Sequence, residues 1–125
     1  MKRRILSFFL ILTLFGHTAS AFPDERSDPI RIDVLYMDHG PMQPTLRELR
    51  ALFSDYGSRI AVYWHDFESE EGERFKAHKG IRRHVPLLIW IDGKSSVRVN
   101  GEMEAFSGFP TGSGPSFFQG KWKIA

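Results

Sequence analysis

Cysteine is absent from the 125 residues of this chain. Thiol–disulfide exchange needs a thiolate that attacks a disulfide sulfur, so the absence excludes dithiol redox chemistry. It also excludes disulfide bonds, and a single small domain must then be stabilised by its hydrophobic core. Because no serine lies in a recognisable nucleophile motif either, we do not expect an enzyme.

Long hydrophobic runs are also scarce, and the one that stands out lies at the N-terminus. Residues 1–4 carry a basic cluster, residues 5–15 are apolar and residues 19–21 are small, which is the pattern of a signal peptide at 1–21. The apolar run is shorter than the about 20 residues that span a bilayer; an uncleaved N-terminal anchor is the alternative. We expect an exported protein, periplasmic or secreted, without membrane contact after signal cleavage, that starts with a flexible polar leader at 22–29.

Neither charge dominates once the signal peptide is set aside. Of the 17 basic side chains, three belong to residues 2–4, which leaves 14 basic side chains against 15 acidic ones. This balance gives no electrostatic footprint for nucleic acid, and the basic cluster at 82–84 is too short to provide one. We therefore expect no nucleic-acid partner.

The spacing of apolar residues predicts a mixed α/β domain. It predicts strands at 30–37, 60–64, 85–91 and 96–99 and helices at 43–56 and 68–79. A strand-helix-strand start implies a parallel pair joined by a right-handed crossover. The turn at 92–94 predicts that the last strand returns antiparallel to the third, so the sheet is expected to be mixed.

Two short motifs carry a resemblance to a known family. Residues 38–42 read Asp-His-Gly-Pro-Met and are similar to Trp-Cys-Gly-Pro-Cys with both cysteines replaced. Residues 80–86 read Gly-Ile-Arg-Arg-His-Val-Pro and are similar to Gly-Ile-Arg-Gly-Ile-Pro. Together with the order of the elements, these motifs make residues 30–99 resemble the thioredoxin family.

The resemblance implies a thioredoxin-like three-layer α/β fold for residues 30–125, with a mixed central sheet flanked by helices. It also implies that the peptide bond before Pro86 is cis and that this proline lies against the degenerate active-site loop. That loop consists of His39, Gly40, Pro41 and Met42.

The C-terminal part departs from the family pattern. Thioredoxins end with a helix that packs on the sheet, whereas residues 102–125 are rich in glycine, proline and aromatic residues and are expected to be irregular. Two explanations stay open. Either an irregular segment replaces the helix and covers that face of the sheet, or the chain is truncated before a final helix.

Asp33 stands six residues before His39, the spacing at which thioredoxins carry a buried aspartate that assists thiol proton transfer. With no thiol to serve, this aspartate is either inherited without a role or a solvated strand residue. We favour the solvated residue.

A second set of side chains suggests metal binding. Met37, His39 and Met42 lie within six residues, and the proline loop would bring His84 close to them. Thioether and imidazole groups suit copper(I), so a periplasmic copper-binding or copper-delivery protein is an alternative function. In the competing interpretation, Met37 and Met42 pack in the core and His39 fills the loop position.

His65 and Asp66 follow the second strand, and His78 lies on the second helix. They could be read as metal ligands or as an acid–base pair. A His-Asp pair at a strand end is usually a solvated turn, so we expect no catalysis there.

The remaining function is recognition of a protein or an extended peptide. In the resembled family, the residue before the cis-proline holds substrates through backbone hydrogen bonds, and here that residue is Val85. Such pairing needs no thiol, because the main chain supplies affinity and nearby side chains supply specificity. The sequence therefore predicts a redox-inactive, peptide-binding or chaperone-like module that uses Val85 and Pro86, with no resident cofactor.

Overall fold

A computed structural model describes residues 28–124 of the chain. The predicted signal peptide and most of the leader lie outside the described residues. The elements are β1 (Ile30–Tyr36), α1 (Gln43–Tyr56), β2 (Ile60–Asp66), α2 (Glu70–Lys79), β3 (Leu87–Ile91), β4 (Ser96–Val99) and β5 (Glu102–Ala105). Within this part of the chain, no helix has the length and apolar character needed to cross a membrane.

The central sheet has three strands in the order β2-β1-β3. β1 runs parallel to β2, with Ile30 opposite Ile60, and antiparallel to β3, with Ile32 opposite Ile91. The sheet is therefore mixed, and the prediction of a mixed α/β architecture is confirmed.

Two hydrophobic clusters lie on the two faces of this sheet, because successive side chains of a strand point to opposite faces. On one face, Ile32 and Val34 of β1 pack with Leu46 and Leu49 of α1. On the other face, Leu35 of β1 packs with buried residues of β3, and Phe75 of α2 is packed against them. The two helices thus cover opposite faces.

α1 has the bounds that the sequence predicted, residues 43–56. Pro44 occupies the first turn, where its missing N–H costs least, and Gly57 ends the helix with a φ of 54°. The predicted apolar positions Leu46 and Leu49 form its buried face. Local capping and periodicity are therefore sufficient to define this helix.

α2 begins two residues later than predicted, because Ser69 caps its N-terminus. The Ser69 hydroxyl accepts a hydrogen bond from the Gly72 N–H at 2.9 Å. The acidic first turn and the basic last turn agree with the helix dipole, and Gly80 ends the helix with a φ of 69°.

Loss of this cap gives a first testable effect. We expect Ser69→Ala to lower the free energy of unfolding by about 1 kcal/mol, because the Gly72 N–H loses its acceptor. Urea denaturation followed by tryptophan fluorescence measures the change. Ser95→Ala, at an exposed position, is the control, and an equal effect at both serines would contradict the role of the cap.

The predicted pairing of β4 with β3 is wrong. The turn at Asp92 and Gly93 forms, with φ of 50° and 76°, but pairing to β3 stops after one bridge between Ile91 and Lys94. β4 pairs with β5 in a separate two-stranded sheet. Residues 106–108 pair with the outer edge of β3 instead. The residues that follow them, Phe109 and Trp122, are buried against the sheet, and this burial favours the pairing.

Hydrogen bonds show that replacement directly. The Ile89 N–H donates to the Phe106 carbonyl at 3.0 Å, and the Gly108 N–H donates to the Leu87 carbonyl at 2.8 Å. Phe109 and Trp122 are buried in the cluster on the α1 face. The expectation that all of residues 102–125 are irregular is wrong for residues 102–105, which form β5 because they pair with β4. The segment after β5 covers part of that face of the sheet, as the first of the two explanations has it.

The prediction of a cis bond before Pro86 is also wrong. Residues 28–124 contain no cis peptide bond. The Pro86 carbonyl accepts the Met37 N–H at 3.0 Å, which continues the β1–β3 pairing one step beyond Tyr36 and Leu87. The bond before Pro86 is trans, the isomer that peptide bonds favour intrinsically, and β3 begins directly after it with Leu87 opposite Tyr36.

Candidate functional site

Three loops meet at one end of the central sheet. We call residues 37–42, 66–69 and 81–86 the loop cluster. β1 and β2 end there and β3 begins there. In open α/β sheets, ligands bind beyond the carboxyl ends of parallel strands where the following helices leave to opposite faces. The loop cluster is therefore the candidate binding site that the sheet topology indicates.

Short contacts tie the three loops together. The Phe67 N–H donates to the Tyr36 carbonyl at 2.7 Å. The His39 Nε2 atom lies 3.4 Å from Glu68 Oε1, and the rings of Phe67 and His84 meet edge to face at 5.6 Å. Loop 66–69 therefore contacts both the degenerate loop and the segment before Pro86, and the Met37 N–H donates to the Pro86 carbonyl at 3.0 Å.

The degenerate loop exposes its first three residues and buries its last. His39, Gly40 and Pro41 are exposed, and the Met42 N–H donates to the His39 carbonyl at 2.9 Å in a short 3₁₀ turn. The Met42 side chain is 1 % exposed and belongs to the core on the α1 face. What the loop presents to a ligand is therefore an imidazole and backbone, not a thioether.

The four residues proposed as copper ligands are divided between surface and core. Met37 is buried like Met42, while His39 contacts Glu68 and His84 contacts Phe67. Across residues 28–124, no three His, Asp or Glu side chains are grouped so that they could hold a metal ion. No observation at these residues favours copper binding over packing.

The segment before Pro86 is exposed at a different place from the one predicted. Val85 is 6 % exposed and packs against Leu35, Leu88 and Trp90. Residues 82–84 are exposed, and within the described part of the chain their backbone N–H and C=O groups make no backbone hydrogen bond. Within residues 28–124, Val85 makes no backbone hydrogen bond either, so the unpaired main chain runs from residue 82 to residue 85, and only the side chain of Val85 is buried.

A polar cavity of about 340 Å³ borders this unpaired segment. Residues 81–84 form one side of it, and α2 with Phe67 forms the other. The Lys76 ammonium lies 3.6 Å from the centre of the Phe67 ring and 2.5 Å from a Glu73 carboxylate oxygen. The cavity thus has an aromatic wall and a largely basic lining.

A second, apolar cavity of about 540 Å³ lies on the other side of the molecule, along the α1 face of the sheet. Its lining includes Phe53 and Tyr56 of α1, Ile30 at the start of β1, and Ile124. It contains none of the predicted site residues.

The prediction that Asp33 is a solvated residue is wrong. Its side chain is buried, with the whole residue 2 % exposed. Arg31 donates to both carboxylate oxygens at 2.8 Å, and His65 Nε2 lies 2.9 Å from Oδ1. β1 alternates its side chains, which directs Asp33 to the same face as Leu35 and α2.

His65 stands between two carboxylates. Its Nδ1 atom lies 2.6 Å from Glu71 Oε1, while Nε2 contacts Asp33. The imidazole also stacks on Phe75, with ring centres 3.7 Å apart. These contacts tie β1, β2 and α2 together.

These contacts determine the protonation of Asp33. Burial alone would raise the pKa of its carboxyl, but hydrogen bonds from Arg31 and His65 outweigh burial and lower that pKa. The hydrogen bond to Asp33 in turn raises the pKa of the Arg31 guanidinium. Asp33 is therefore a carboxylate under ordinary conditions.

His65, Asp66 and His78, which the sequence left open as metal ligands or an acid–base pair, have separate surroundings in the structure. β2 extends through His65 and Asp66, Asp66 accepts the Glu68 N–H at 3.0 Å, and His78 is exposed on α2. Sequence reasoning missed the pairing of His65 with Asp33. The available signal was a polar residue between or beside apolar ones in each of two strands, Asp33 in β1 and His65 in β2, since a buried polar group requires a partner.

Comparisons with known proteins add no relative to this picture: no family model matches the chain, and no curated protein or solved structure matches it.

Proposed function

We propose that this chain is an exported thioredoxin-like binding module, without dithiol redox or other catalytic activity, that holds extended polypeptides at the loop cluster. The strand order β2-β1-β3, with β3 antiparallel, supports the thioredoxin-like part of the proposal. So do helices on opposite faces of the sheet and the buried Asp33 behind the degenerate loop.

The observation that carries the function is the unpaired main chain of residues 82–84. The segment is held at both ends, because the Ile81 N–H donates to the Lys76 carbonyl at 2.9 Å and the Pro86 carbonyl accepts the Met37 N–H. A segment already fixed in place loses little conformational entropy when a partner binds. An extended peptide can hydrogen-bond to it as a strand does.

The same site explains how a scaffold without a thiol retains a use. Backbone pairing takes its affinity from N–H and C=O groups, so replacement of both cysteines leaves it intact. Exposed His39 is connected to the segment through residues 67–68, because His39 contacts Glu68 and Phe67 contacts His84.

Hydrogen exchange tests the proposal directly on residues 22–125. The probe is a mixture of synthetic decapeptides of random sequence. We expect the amides of residues 82–84 to exchange rapidly in the free protein and to become protected with peptide present, because the peptide accepts their hydrogen bonds. Amides of the β4–β5 hairpin, which lies outside the loop cluster, serve as the internal control.

A proline variant gives the matched binding measurement. Arg83→Pro, compared with Arg83→Gln so that both variants lack the charge, removes one N–H and should weaken peptide binding about fivefold to tenfold, the value of one hydrogen bond. Ser95→Pro makes the same change at an exposed position outside the loop cluster and should leave binding unchanged. The proposal fails if no peptide binds, or if peptides bind without protecting residues 82–84.

A further inference from the structure

The unpaired segment at the loop cluster carries two free positive charges. Arg82 and Arg83 are both exposed and both line the polar cavity. Within residues 28–124, neither guanidinium has a salt bridge or a side-chain hydrogen bond. Guanidinium groups pair with carboxylates through two parallel hydrogen bonds, so both are available for an acidic ligand.

Glu73, the acidic residue among those that line the cavity, and two nearby glutamates each contact a basic side chain. Glu73 contacts Lys76 at 2.5 Å, Glu68 contacts His39 at 3.4 Å and Glu71 contacts His65 at 2.6 Å. None of them is paired with the two arginines. The cavity therefore keeps an excess of positive charge that the protein itself does not neutralise.

This excess is local. Outside the signal peptide, the chain has 14 basic and 15 acidic side chains, so the molecule as a whole does not attract anions. A positive site on a nearly neutral protein acts on ligands that come within about 10 Å at ordinary ionic strength. Charge then contributes to selection among peptides bound at this place rather than to general adhesion.

We propose that the loop cluster selects acidic extended peptides, in which Asp or Glu side chains near the paired residues bind Arg82 and Arg83. The inference rests on the proposed function and adds its substrate class. The Phe67 ring and the Lys76 stem form the opposite wall of the same cavity, so an acidic residue next to an apolar one fits the lining best.

Three matched peptides test this selection. They share one extended sequence and carry two Glu, two Gln or two Lys at the same adjacent positions. Fluorescence anisotropy of the labelled peptides gives the Kd at about 50 mM and about 300 mM salt. We expect the Glu peptide to bind about tenfold more tightly than the Gln peptide, the Lys peptide to bind most weakly, and the Glu advantage to shrink at high salt.

Two double variants assign the effect to the arginines. Arg82→Gln with Arg83→Gln should abolish the preference for Glu and leave the Gln peptide bound as before. Arg59→Gln with Arg98→Gln removes the same charge from exposed positions outside the loop cluster and should keep the preference. All four substitutions are at exposed residues, and thermal melting checks that each variant is folded.

The outcomes separate the two proposals. Equal affinity for the Glu and Gln peptides, with residues 82–84 protected by both, overturns the acidic selection and leaves the proposed function standing. A Glu preference that survives Arg82→Gln with Arg83→Gln also overturns this inference. Absence of binding by all three peptides overturns both.

Discussion

Replacement of Asp33 by alanine is expected to lower the free energy of unfolding by about 3–5 kcal/mol, the range found when one partner of a buried ion pair is removed. In this variant the buried His65 keeps Glu71 as a partner but has a void in place of Asp33. Arg31 loses the carboxylate to which it donates hydrogen bonds. Urea denaturation followed by tryptophan fluorescence gives the change at neutral pH.

Arg31→Ala is the matched control for this effect. The Arg31 side chain is 53 % exposed, so solvent screens its interaction with Asp33, and the loss should stay below about 1 kcal/mol. If Asp33→Ala proves too unstable to purify, Asp33→Asn keeps the shape and removes the charge. If the Arg31 and Asp33 variants lose the same free energy of unfolding, burial of the Asp33 carboxylate does not determine its contribution to stability.

The pH dependence follows from the lowered pKa of Asp33. A carboxyl whose pKa is lower in the folded state than in the unfolded state stabilises the protein above its ordinary pKa, here 3.8. That contribution is lost as the pH falls through the folded pKa. The stability difference between the wild type and Asp33→Asn should therefore be largest near neutral pH and should narrow below about pH 4.

Gly72→Ala is expected to destabilise the protein by about 3 kcal/mol or more, the upper end of the cost of overpacking. Gly72 lies in the first turn of α2, and a methyl group there would stand 1.7 Å from the Asp66 carbonyl oxygen. That oxygen is backbone, so it cannot rotate away. At an unobstructed helix position, the same change stabilises by about 1 kcal/mol, and the sign is therefore diagnostic.

Thermal melting of purified variants measures the effect of Gly72→Ala. Gly40→Ala is the control, because an added methyl there meets no atom within 4 Å. Moving α2 away from the end of β2 would also strain the contact between His65 and Glu71. A Gly72→Ala protein as stable as the wild type would mean that α2 can shift without cost, which the packing described above contradicts.

The parts of the fold that sequence predicted well are those that local patterns define. The bounds of α1 follow from its apolar spacing, from Pro44 and from Gly57, and all of these act within one helix. The partner of β4 depends on which segment pairs with the outer edge of β3. Residues 106–108, which do so, lie beyond the predicted β3–β4 hairpin. The turn residues Asp92 and Gly93 carry no information on whether β4 or residues 106–108 will pair with β3.

The sequence predicted a site at the motifs of residues 38–42 and 80–86, and binding there stays a prediction. The motifs at 38–42 and 80–86 locate the loop cluster, and the contacts of His39 and His84 agree. The burial of the Val85 side chain could not be predicted from its own segment, because Leu35, which packs against it, lies in a distant strand. The network around Asp33 joins three elements, and no single segment of sequence contains it.

The central position of β1 has a consequence for the order in which the chain is made. Ile30 pairs with Ile60 and Ile32 with Ile91, so both partners of the strand emerge from the ribosome after it. Contacts between distant residues form slowly, because large loops must close first. A newly made β1 therefore has no partner strand until β2 is made, and it keeps one edge open until β3 follows. The charge of Asp33 in its apolar run opposes association with other chains during that time.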